Sequence, residues 1–338
     1  IKANANRRIL REISSYGFGA DCVSGNEILR AVECGFSPSK IVFAGVGKTD
    51  KEINLALDTD IFCFNVESLP EMKTIEELAS KKGKRARIAL RINPNIDAHT
   101  HEYITTGLNE NKFGLNEQDL PKALNFIAEA SHLELIGIHF HIGSQITDLC
   151  AFENLCVRAM EWKNWFENRG ARLQLINVGG GLGINYMHPN HCPVANFESY
   201  FSLFDKHMKL NDDQSIHFEP GRSVVAPCGS LIARTIYVKE GISKKFLIID
   251  AGMTDLIRPA LYQAFHHIEN MSSEEVLTRY DVVGPICESS DTFAKNMEIN
   301  RAKRGDLIAI RSAGAYGEVM ASQYNCRELP KSYFSDQI

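Results

Sequence analysis

The sequence lacks the features that mark several classes of protein. No apolar run approaches the roughly 18 residues that a membrane-spanning helix needs, and no signal-peptide pattern is visible. Lys and Arg number 37 against 42 Asp and Glu, and the longest basic cluster, KKGKRAR at 81–87, is short. We therefore expect no membrane span and no surface that binds nucleic acid or anionic lipid.

The cysteines lack the spacing that disulfide frameworks or structural zinc sites require. Nine cysteines, an odd number, are scattered along the chain, and no C-x-x-C occurs. This usage indicates reduced thiols and a cytoplasmic protein. We expect most of them to act as small buried apolar residues.

Strand-like runs alternate with helical patterns over the first two thirds of the chain. Such alternation predicts parallel strands joined by crossover helices, and eight such units form a (β/α)8 TIM barrel. A doubly wound open sheet is the alternative, but no G-x-G-x-x-G follows an early strand. The predicted strands are IKA (1–3), ADCVS (20–24), IVFAG (41–45), IFCFNV (61–66), RIALRIN (87–93), LIGIHFHIG (135–143), LINVGGG (175–181) and SIHFEPG (215–221).

The pattern changes near residue 225. The runs that follow are spaced by turn signals, with little helix between them except around 258–269. We therefore predict a barrel over 1–225 and a mostly antiparallel β domain over 226–338. The runs are APCGSLIARTIYVKEG, KKFLIIDAG, RYDVVGPIC and GDLIAIRSAG.

Glycines and charged residues follow the last two predicted barrel strands. These strands lead into GGGLG (179–183) and EPGR (219–222), at the end of a barrel where active sites lie. Consecutive glycines weaken a strand end, but they let backbone N–H groups approach an anion. A tight turn is the alternative. The neighbouring EPGR favours a phosphate site, because this part of a barrel commonly binds phosphate.

Two charged residues at these strand ends indicate a cofactor. Glu219 can face a cationic ring nitrogen while Arg222 faces an anion, although a local ion pair is the alternative. Lys2 alone would be a surface lysine, but beside such a site it becomes a candidate for a Schiff base. A phosphate site, a carboxylate for a pyridine nitrogen and a lysine for an aldehyde together specify pyridoxal 5′-phosphate (PLP).

The run HFHIGSQ (139–145) is also compatible with a metal site, which is the alternative to a cofactor. His139 and His141 alternate along one predicted strand, so both can point to the same side. Barrel metal sites of this kind need further histidines and an aspartate on later strands, where GGG and EPGR stand instead. The HTH at 99–101 has no partner cluster. We expect no metal, with one histidine stacked on the cofactor and the other packed.

The motifs and their order along the chain resemble those of the fold-type III, alanine-racemase-like PLP-dependent decarboxylases, and most closely those of the diaminopimelate decarboxylases among them. The resemblance runs almost from end to end. The motifs that carry it are IKAN, GADCVSGNE, KIVFAGVGK, NVES, LRINPNIDAHTH, TGLNENKFG, HFHIGSQ, NVGGGLG, HFEPGR, DAGMTDLIRPALY, VVGPICESSD, GAYGEVMASQYN and R-x-LP.

The resemblance implies a role for each matching residue. Lys2 would carry PLP, His141 would stack on its ring, and Glu219 would pair with the ring nitrogen. Cys287 would be the acid that returns a proton to the carbanion. The other cofactor-binding residues would be Asp21, Arg91, Ser144, Gly180, Gly181, Gly221, Arg222 and Tyr316, with Glu27 supporting the lysine end. The substrate would be bound by Arg222, Arg258, Tyr262, Glu288 and Tyr316.

The implied reaction converts meso-2,6-diaminopimelate to L-lysine and CO2, the last step of lysine biosynthesis. Arg258 and Glu288 offer opposite charges to a substrate that has a carboxylate and an ammonium at its far end. Sister decarboxylases of ornithine, arginine or carboxynorspermidine are alternatives, and ICESSD and IRPALY argue against the first two. A degenerate PLP-binding homologue is a further alternative, but both Lys2 and Cys287 are present.

The resemblance also implies a homodimer in which the Cys-Glu-Ser loop and Tyr316 complete an active site across the interface. The chain departs from the family pattern in two ways. It begins one residue before Lys2 and stops after YNCRELPKSYFSDQI, so we expect a partial or processed chain. Ser290 also replaces a glycine that many family members have.

Overall fold

Strands and helices alternate along the first of two compact units, which comprises Ile1–Gly183 and Asn196–Gly221. The computed structural model describes residues 1–94, 112–191 and 193–337, so HTH at 99–101 lies outside the described residues. The strands are β1 (Ala20–Cys22), β2 (Ile41–Phe43), β3 (Cys63–Val66), β4 (Ala86–Arg91), β5 (Leu133–His139), β6 (Leu175–Asn177) and β7 (Ser215–His217). The α-helices are α1 (Arg7–Ser15), α2 (Gly25–Glu33), α3 (Asp50–Thr59), α4 (Leu69–Lys82), α5 (Leu120–Glu129), α6 (Cys150–Glu167) and α7 (Phe197–His207).

The strands of the first unit pair in chain order. In the described part of the chain, β1 to β7 form one parallel sheet in which each strand pairs with the next. Sequential parallel pairing with intervening helices is the TIM-barrel arrangement, so the predicted fold class is confirmed. The register aligns Arg91 with His139 and His139 with Asn177, which places polar side chains side by side where these strands end.

The prediction of a first strand over Ile1–Ala3 is wrong. These residues form a turn, in which the Asn4 N–H donates to the Ile1 carbonyl at 2.9 Å. The terminal ammonium of Ile1 donates to the Asp21 carbonyl at 3.0 Å. A parallel pair needs a series of evenly spaced hydrogen bonds, and this single bond does not extend the sheet beyond β1.

Local sequence signals set the helix ends. The Ser68 hydroxyl accepts from the Glu71 N–H at the start of α4, and Gly83 ends that helix in the left-handed conformation with φ of 59°. Thr49 and Glu52 form a reciprocal capping box at the start of α3. These caps satisfy backbone groups that a helix end leaves unpaired, and they keep the loops after β2 and β3 short.

The second unit comprises Ile184–Ala195 and Arg222–Ile338. Its helices are α8 (Arg222–Val225) and α9 (Arg258–Tyr262), and its strands are β8 (Leu231–Glu240), β9 (Lys245–Ile249), β10 (Ile268–Asn270), β11 (Leu277–Val283), β12 (Thr292–Asn300) and β13 (Leu307–Ile310). The sheet order is β10-β13-β8-β9-β11-β12, and every pair except β9 with β11 is antiparallel. The predicted mostly antiparallel domain is therefore confirmed.

The second unit has its own apolar core, which includes Leu247, Ile249, Val282 and Ile308. Helix α9 is shorter than the predicted helical stretch over 258–269. The predicted domain boundary between 225 and 226 stays a prediction. Across the described ranges, no helix is long and apolar enough to cross a membrane.

Candidate active site

A carboxylate just beyond β7 is the centre of the polar cluster in the first unit. The Glu219 backbone N–H donates to the Gly179 carbonyl at 2.8 Å, which fixes the loop after β7 against the loop after β6. Its side chain is 12% exposed. Three side chains contact its oxygens: Asn65 Nδ2 at 3.3 Å, Asn177 Nδ2 at 2.7 Å and His139 Nε2 at 3.3 Å.

These contacts decide the charge of Glu219. Burial by itself would raise the pKa of the carboxyl, but His139, then His141 and the hydrogen bond from Asn177, lower it to about 2. Hydrogen bonds to the charged form favour ionisation. Glu219 is therefore an anion at neutral pH.

Asp21 on β1 behaves in the opposite way. Burial, followed by the negative charge of Glu219, raises the pKa of Asp21 to about 8, although the charge of Lys2 acts in the other direction. Its Oδ1 is buried and has no hydrogen-bond partner among the described residues. Two carboxyls that influence each other thus differ in charge at neutral pH, which is a recurrent property of functional sites.

Lys2, in the turn beside β1, belongs to the same cluster. Its positive charge lowers the pKa of both Asp21 and His141, so its ammonium group acts on the polar cluster around β1 and β5. Glu27 in α2 accepts from the Val23 N–H at 2.6 Å, and this bond closes the loop between β1 and α2. The charge of Lys2 therefore acts on Asp21 and His141, and both of these also interact electrostatically with Glu219.

His141 lies two residues beyond the end of β5. The expectation that His139 and His141 share one strand is wrong, because the sheet pairing ends at His139. The His141 Nδ1 accepts from the Gly180 N–H at 3.3 Å. Burial, then the charges of Arg91 and Lys2, lower the pKa of His141 to about 3. A neutral imidazole has an uncharged face, which suits stacking on an aromatic ring.

Arg91 at the end of β4 is held by a buried ion pair. Its Nη1 donates to Glu67 Oε1 at 2.8 Å, with both side chains less than a tenth exposed. Glu67 also accepts from the backbone N–H groups of Gly45 and Gly114 at 3.1 and 2.9 Å. The guanidinium carbon lies 4.6 Å from the centre of the Phe113 ring. Arg91 is thus a fixed cation near His141.

The glycine run after β6 has a structural reason. A Cβ on Gly180 would overlap the Glu219 carbonyl, and a Cβ on Gly181 would lie 2.7 Å from the Gly143 oxygen. Gly181 also has a φ of 107°, in the left-handed region that favours glycine. Glycines are therefore needed where the loops after β5, β6 and β7 approach one another. Ser144 and Gly221 lie half-buried on two of these loops.

The second unit holds the other predicted residues in two groups. In the first group, Arg222 and Arg258 are buried, the Arg222 guanidinium lies 4.8 Å from the Tyr316 ring centre, and Tyr262 ends α9. In the second group, the Cys287 N–H lies 3.5 Å from Asn325 Oδ1, and Glu288 accepts from the Tyr324 hydroxyl at 2.6 Å. Both Cys287 and Glu288 are exposed.

Comparison with known proteins identifies the family of this chain. The family described as pyridoxal-dependent decarboxylase, pyridoxal binding domain, matches residues 1–226. A diaminopimelate decarboxylase of Bacteroides thetaiotaomicron is 59% identical over 338 residues, which is 100% of this chain and 88% of that protein. This chain belongs to the diaminopimelate decarboxylase family.

Crystal structures of diaminopimelate decarboxylases have the same fold. The Helicobacter pylori enzyme, crystallised with L-lysine, is 43% identical with a TM-score of 0.90, covering 97% of this chain and 82% of that one. The M. jannaschii enzyme is 38% identical with a TM-score of 0.91, covering 97% and 77% of the two chains.

Several polar residues of this diaminopimelate decarboxylase family member were missed by the sequence reasoning. Asn65 and Asn177 are the amide donors to Glu219, and Glu67 is the partner of Arg91. Each lies in or just after a predicted strand, and a polar residue at a barrel strand end was the available signal. Asp291 was missed as well, although it accepts from the N–H groups of Ile286 and Met253 at 2.7 and 2.6 Å.

Proposed function

We propose that this chain decarboxylates meso-2,6-diaminopimelate to L-lysine and CO2, with PLP as its cofactor. The observation that carries the proposal is the buried Glu219 anion, held by three side-chain donors in the same cluster as Lys2. A carboxylate of this kind keeps a pyridine nitrogen protonated. Membership of the diaminopimelate decarboxylase family supports the choice of substrate.

The side chains of the first unit fit PLP. The buried Asp21 Oδ1 has no partner within the described ranges, and the crowded glycines after β6 leave backbone free of side chains. His141 is neutral and can cover a ring face. When bound, PLP supplies an electron sink for the pair left on the α-carbon as CO2 departs.

Each residue of the first unit then has a defined task. Lys2 would hold the cofactor covalently, through its side-chain amine and the aldehyde group of PLP, with loss of water. Glu219 would hold a proton at the ring nitrogen, Asp21 would support the lysine end, and Arg91 would lie near the cofactor. The phosphate would be bound by Ser144, Gly180, Gly181 and Gly221.

The second unit supplies the residues for substrate binding and protonation. Arg258 binds the far carboxylate and Glu288 binds the far ammonium, while Tyr262, Tyr316 and Arg222 complete the set. The Cys287 thiol donates a proton to the α-carbon from which CO2 has left. Such a site rejects substrates that lack the far-end carboxylate, because the buried charge of Arg258 would remain unpaired.

We propose that the enzyme is a cytoplasmic homodimer with shared active sites. The scattered, unpaired cysteines of the described residues support a reducing compartment. Cys287 and Glu288 lie on an exposed loop of the single chain, which supports a role that a second protomer completes.

A direct assay tests the proposal. Purified protein supplied with PLP should release CO2 and L-lysine from meso-diaminopimelate in equal amounts. Borohydride reduction should attach the cofactor to Lys2, as mass spectrometry of the peptide can show. Lys2→Ala should abolish both results, whereas wild-type protein that binds PLP but releases no CO2 would refute the proposed function.

A further inference from the structure

One tyrosine hydroxyl joins two buried arginines in the second unit. Tyr186 Oη accepts from Arg222 Nη1 at 2.8 Å and from Arg258 Nη1 at 3.0 Å. The three residues are 8%, 6% and 5% exposed, respectively. The Arg258 guanidinium carbon also lies 5.0 Å from the centre of the Tyr186 ring. Tyr186 therefore sets the separation of two guanidinium groups.

A buried histidine fixes the second arginine from another side. His266 Nε2 lies 2.8 Å from Arg258 Nη1, and His266 Nδ1 lies 2.8 Å from the Arg311 carbonyl oxygen. These partners assign the tautomer, since the carbonyl requires a proton on Nδ1 and the guanidinium requires an acceptor at Nε2. Burial, then the charge of Arg258, lower the pKa of His266 to about 4, so the ring adds no charge at neutral pH.

Arg258 is left with a positive charge that has no counter-ion among the described residues. Among the described residues, the polar partners of the Arg258 side chain are the Tyr186 hydroxyl and the His266 imidazole, which are both uncharged. Burial, with the nearby charge of Arg222 adding to it, lowers the pKa of Arg258. Burying a cation without a counter-ion is costly, and a carboxylate matches the planar donor fork of a guanidinium.

We propose that Tyr186 and His266 are positioning residues that hold Arg222 and Arg258 for the far-end carboxylate of the substrate. This inference rests on the proposed function and deepens it, because it names the residues that position the arginine pair. The ligand chemistry is an oxyanion, which could come from the substrate carboxylate or from the cofactor phosphate. The substrate carboxylate is the source that we assign, because Arg258 has no other described counter-charge.

The test is Tyr186→Phe, which keeps the ring and its edge-to-face contact with His266 but removes the shared acceptor. In the holoenzyme, KM for meso-diaminopimelate should rise at least about tenfold, because two hydrogen bonds to charged groups are lost, while kcat changes less. L-Lysine keeps the far-end carboxylate after decarboxylation, so its inhibition constant should rise similarly. Cadaverine has no carboxylate, and its inhibition constant should stay as in the wild type.

Matched variants keep the test specific. Tyr280→Phe removes another buried hydroxyl of the same unit, which accepts from the Ala302 N–H at 3.2 Å, and it should leave these constants unchanged. His266→Gln retains an acceptor for Arg258 and should keep the lysine affinity, whereas His266→Leu should lose it about tenfold. The two His266 variants test the inference even if Tyr186→Phe does not fold.

The outcomes separate the inference from its rivals. Equal weakening of lysine and cadaverine, or no difference between Tyr186→Phe and Tyr280→Phe, would overturn it. A weaker PLP dissociation constant with an unchanged KM would assign the arginine pair to the cofactor phosphate instead. If wild-type protein releases no CO2, the proposed function fails, yet lysine binding to the Tyr186→Phe and wild-type proteins still tests the inference.

Discussion

At the scale of single residues, the first unit separates two buried carboxyls by charge. Glu219 has amide donors from β3 and β6 and a histidine from β5, whereas Asp21 has a buried oxygen without a hydrogen-bond partner among the described residues. Donors favour the anion, and desolvation without donors favours the neutral acid. At neutral pH the two carboxyls therefore differ in protonation state, and they can serve different purposes.

Asp21→Asn should make the protein without PLP less sensitive to pH. Burial, then the charge of Glu219, raise the pKa of Asp21 from 3.8 to about 8. Between these values the folded state binds a proton that the unfolded chain has lost. The free energy of unfolding of the wild type should therefore fall as pH rises from about 4 to about 8, by no more than about 1.4 kcal/mol per pH unit from this group.

Urea unfolding at several pH values measures this contribution. The Asp21→Asn variant should lack this contribution to the pH dependence of the free energy of unfolding, and it should be more stable than the wild type at pH 8. Asp205→Asn, on the exposed face of α7, is the control and should follow the wild type. Parallel curves for Asp21→Asn and the wild type would contradict the assigned protonation.

At the scale of secondary-structure elements, short apolar runs were enough to predict β1 to β7, because these strands, apart from the more exposed β7, are largely buried and are bounded by helical patterns. The turn at Ile1–Ala3 was wrongly predicted as a strand, since residue type does not show whether a hydrogen-bonded partner exists. Strand β12 was missed because its alternation is interrupted at Asn296, with φ of 52°, opposite irregular pairing in β11. Strand β10 has three residues, too few for a periodic signal.

The candidate site was predictable where a motif places a charged residue after a strand, as with Glu219 and Arg91. It was not predictable where a side chain acts through a contact distant in sequence. Asn65 and Glu219 are 154 residues apart, and Tyr186 and Arg258 are 72 apart. Only the register of the sheet and the packing of the second unit bring such pairs together.

The loop from Gly284 to Asp291 gives a prediction at this scale. Both carboxylate oxygens of Asp291 accept backbone N–H groups, from Met253 and Ile286, and the loop carries Cys287. Asp291→Asn can satisfy only one of these donors, so we expect a loss of about 1–3 kcal/mol in the free energy of unfolding. We also expect a lower kcat, because the Cys287 thiol is displaced.

Kinetics and urea unfolding of the same preparations measure both effects. Glu274→Gln, on an exposed turn of the same unit, serves as the control and should match the wild type. An Asp291→Asn protein with wild-type kcat and stability would show that the carboxylate does not order this loop.

At the scale of the whole molecule, the proposed homodimer predicts complementation between two inactive variants. Lys2→Ala removes the proposed cofactor lysine, and Cys287→Ala removes the proposed proton donor. If one active site takes Lys2 from one protomer and Cys287 from its partner, random mixing after dissociation should restore about one quarter of wild-type activity, because half of the dimers are mixed and each has one intact site.

Co-expression of the two variants with different affinity tags allows the mixed dimer to be isolated and assayed. Each variant alone should remain inactive, which is the internal control. A mixed dimer without activity would mean that Lys2 and Cys287 serve the same site from one protomer, and a protein that sediments as a monomer yet turns over substrate would contradict the shared site.

The most direct test of the central claim is the ratio of kcat/KM values for meso-diaminopimelate and for lysine, ornithine and carboxynorspermidine, measured by CO2 release with PLP present. We expect kcat/KM for meso-diaminopimelate to exceed the values for lysine and ornithine by about 10⁴-fold, because those substrates leave the far-end carboxylate site unfilled, and to exceed the value for carboxynorspermidine as well. Comparable or greater values for any of the three would contradict a site built around the far-end carboxylate and ammonium.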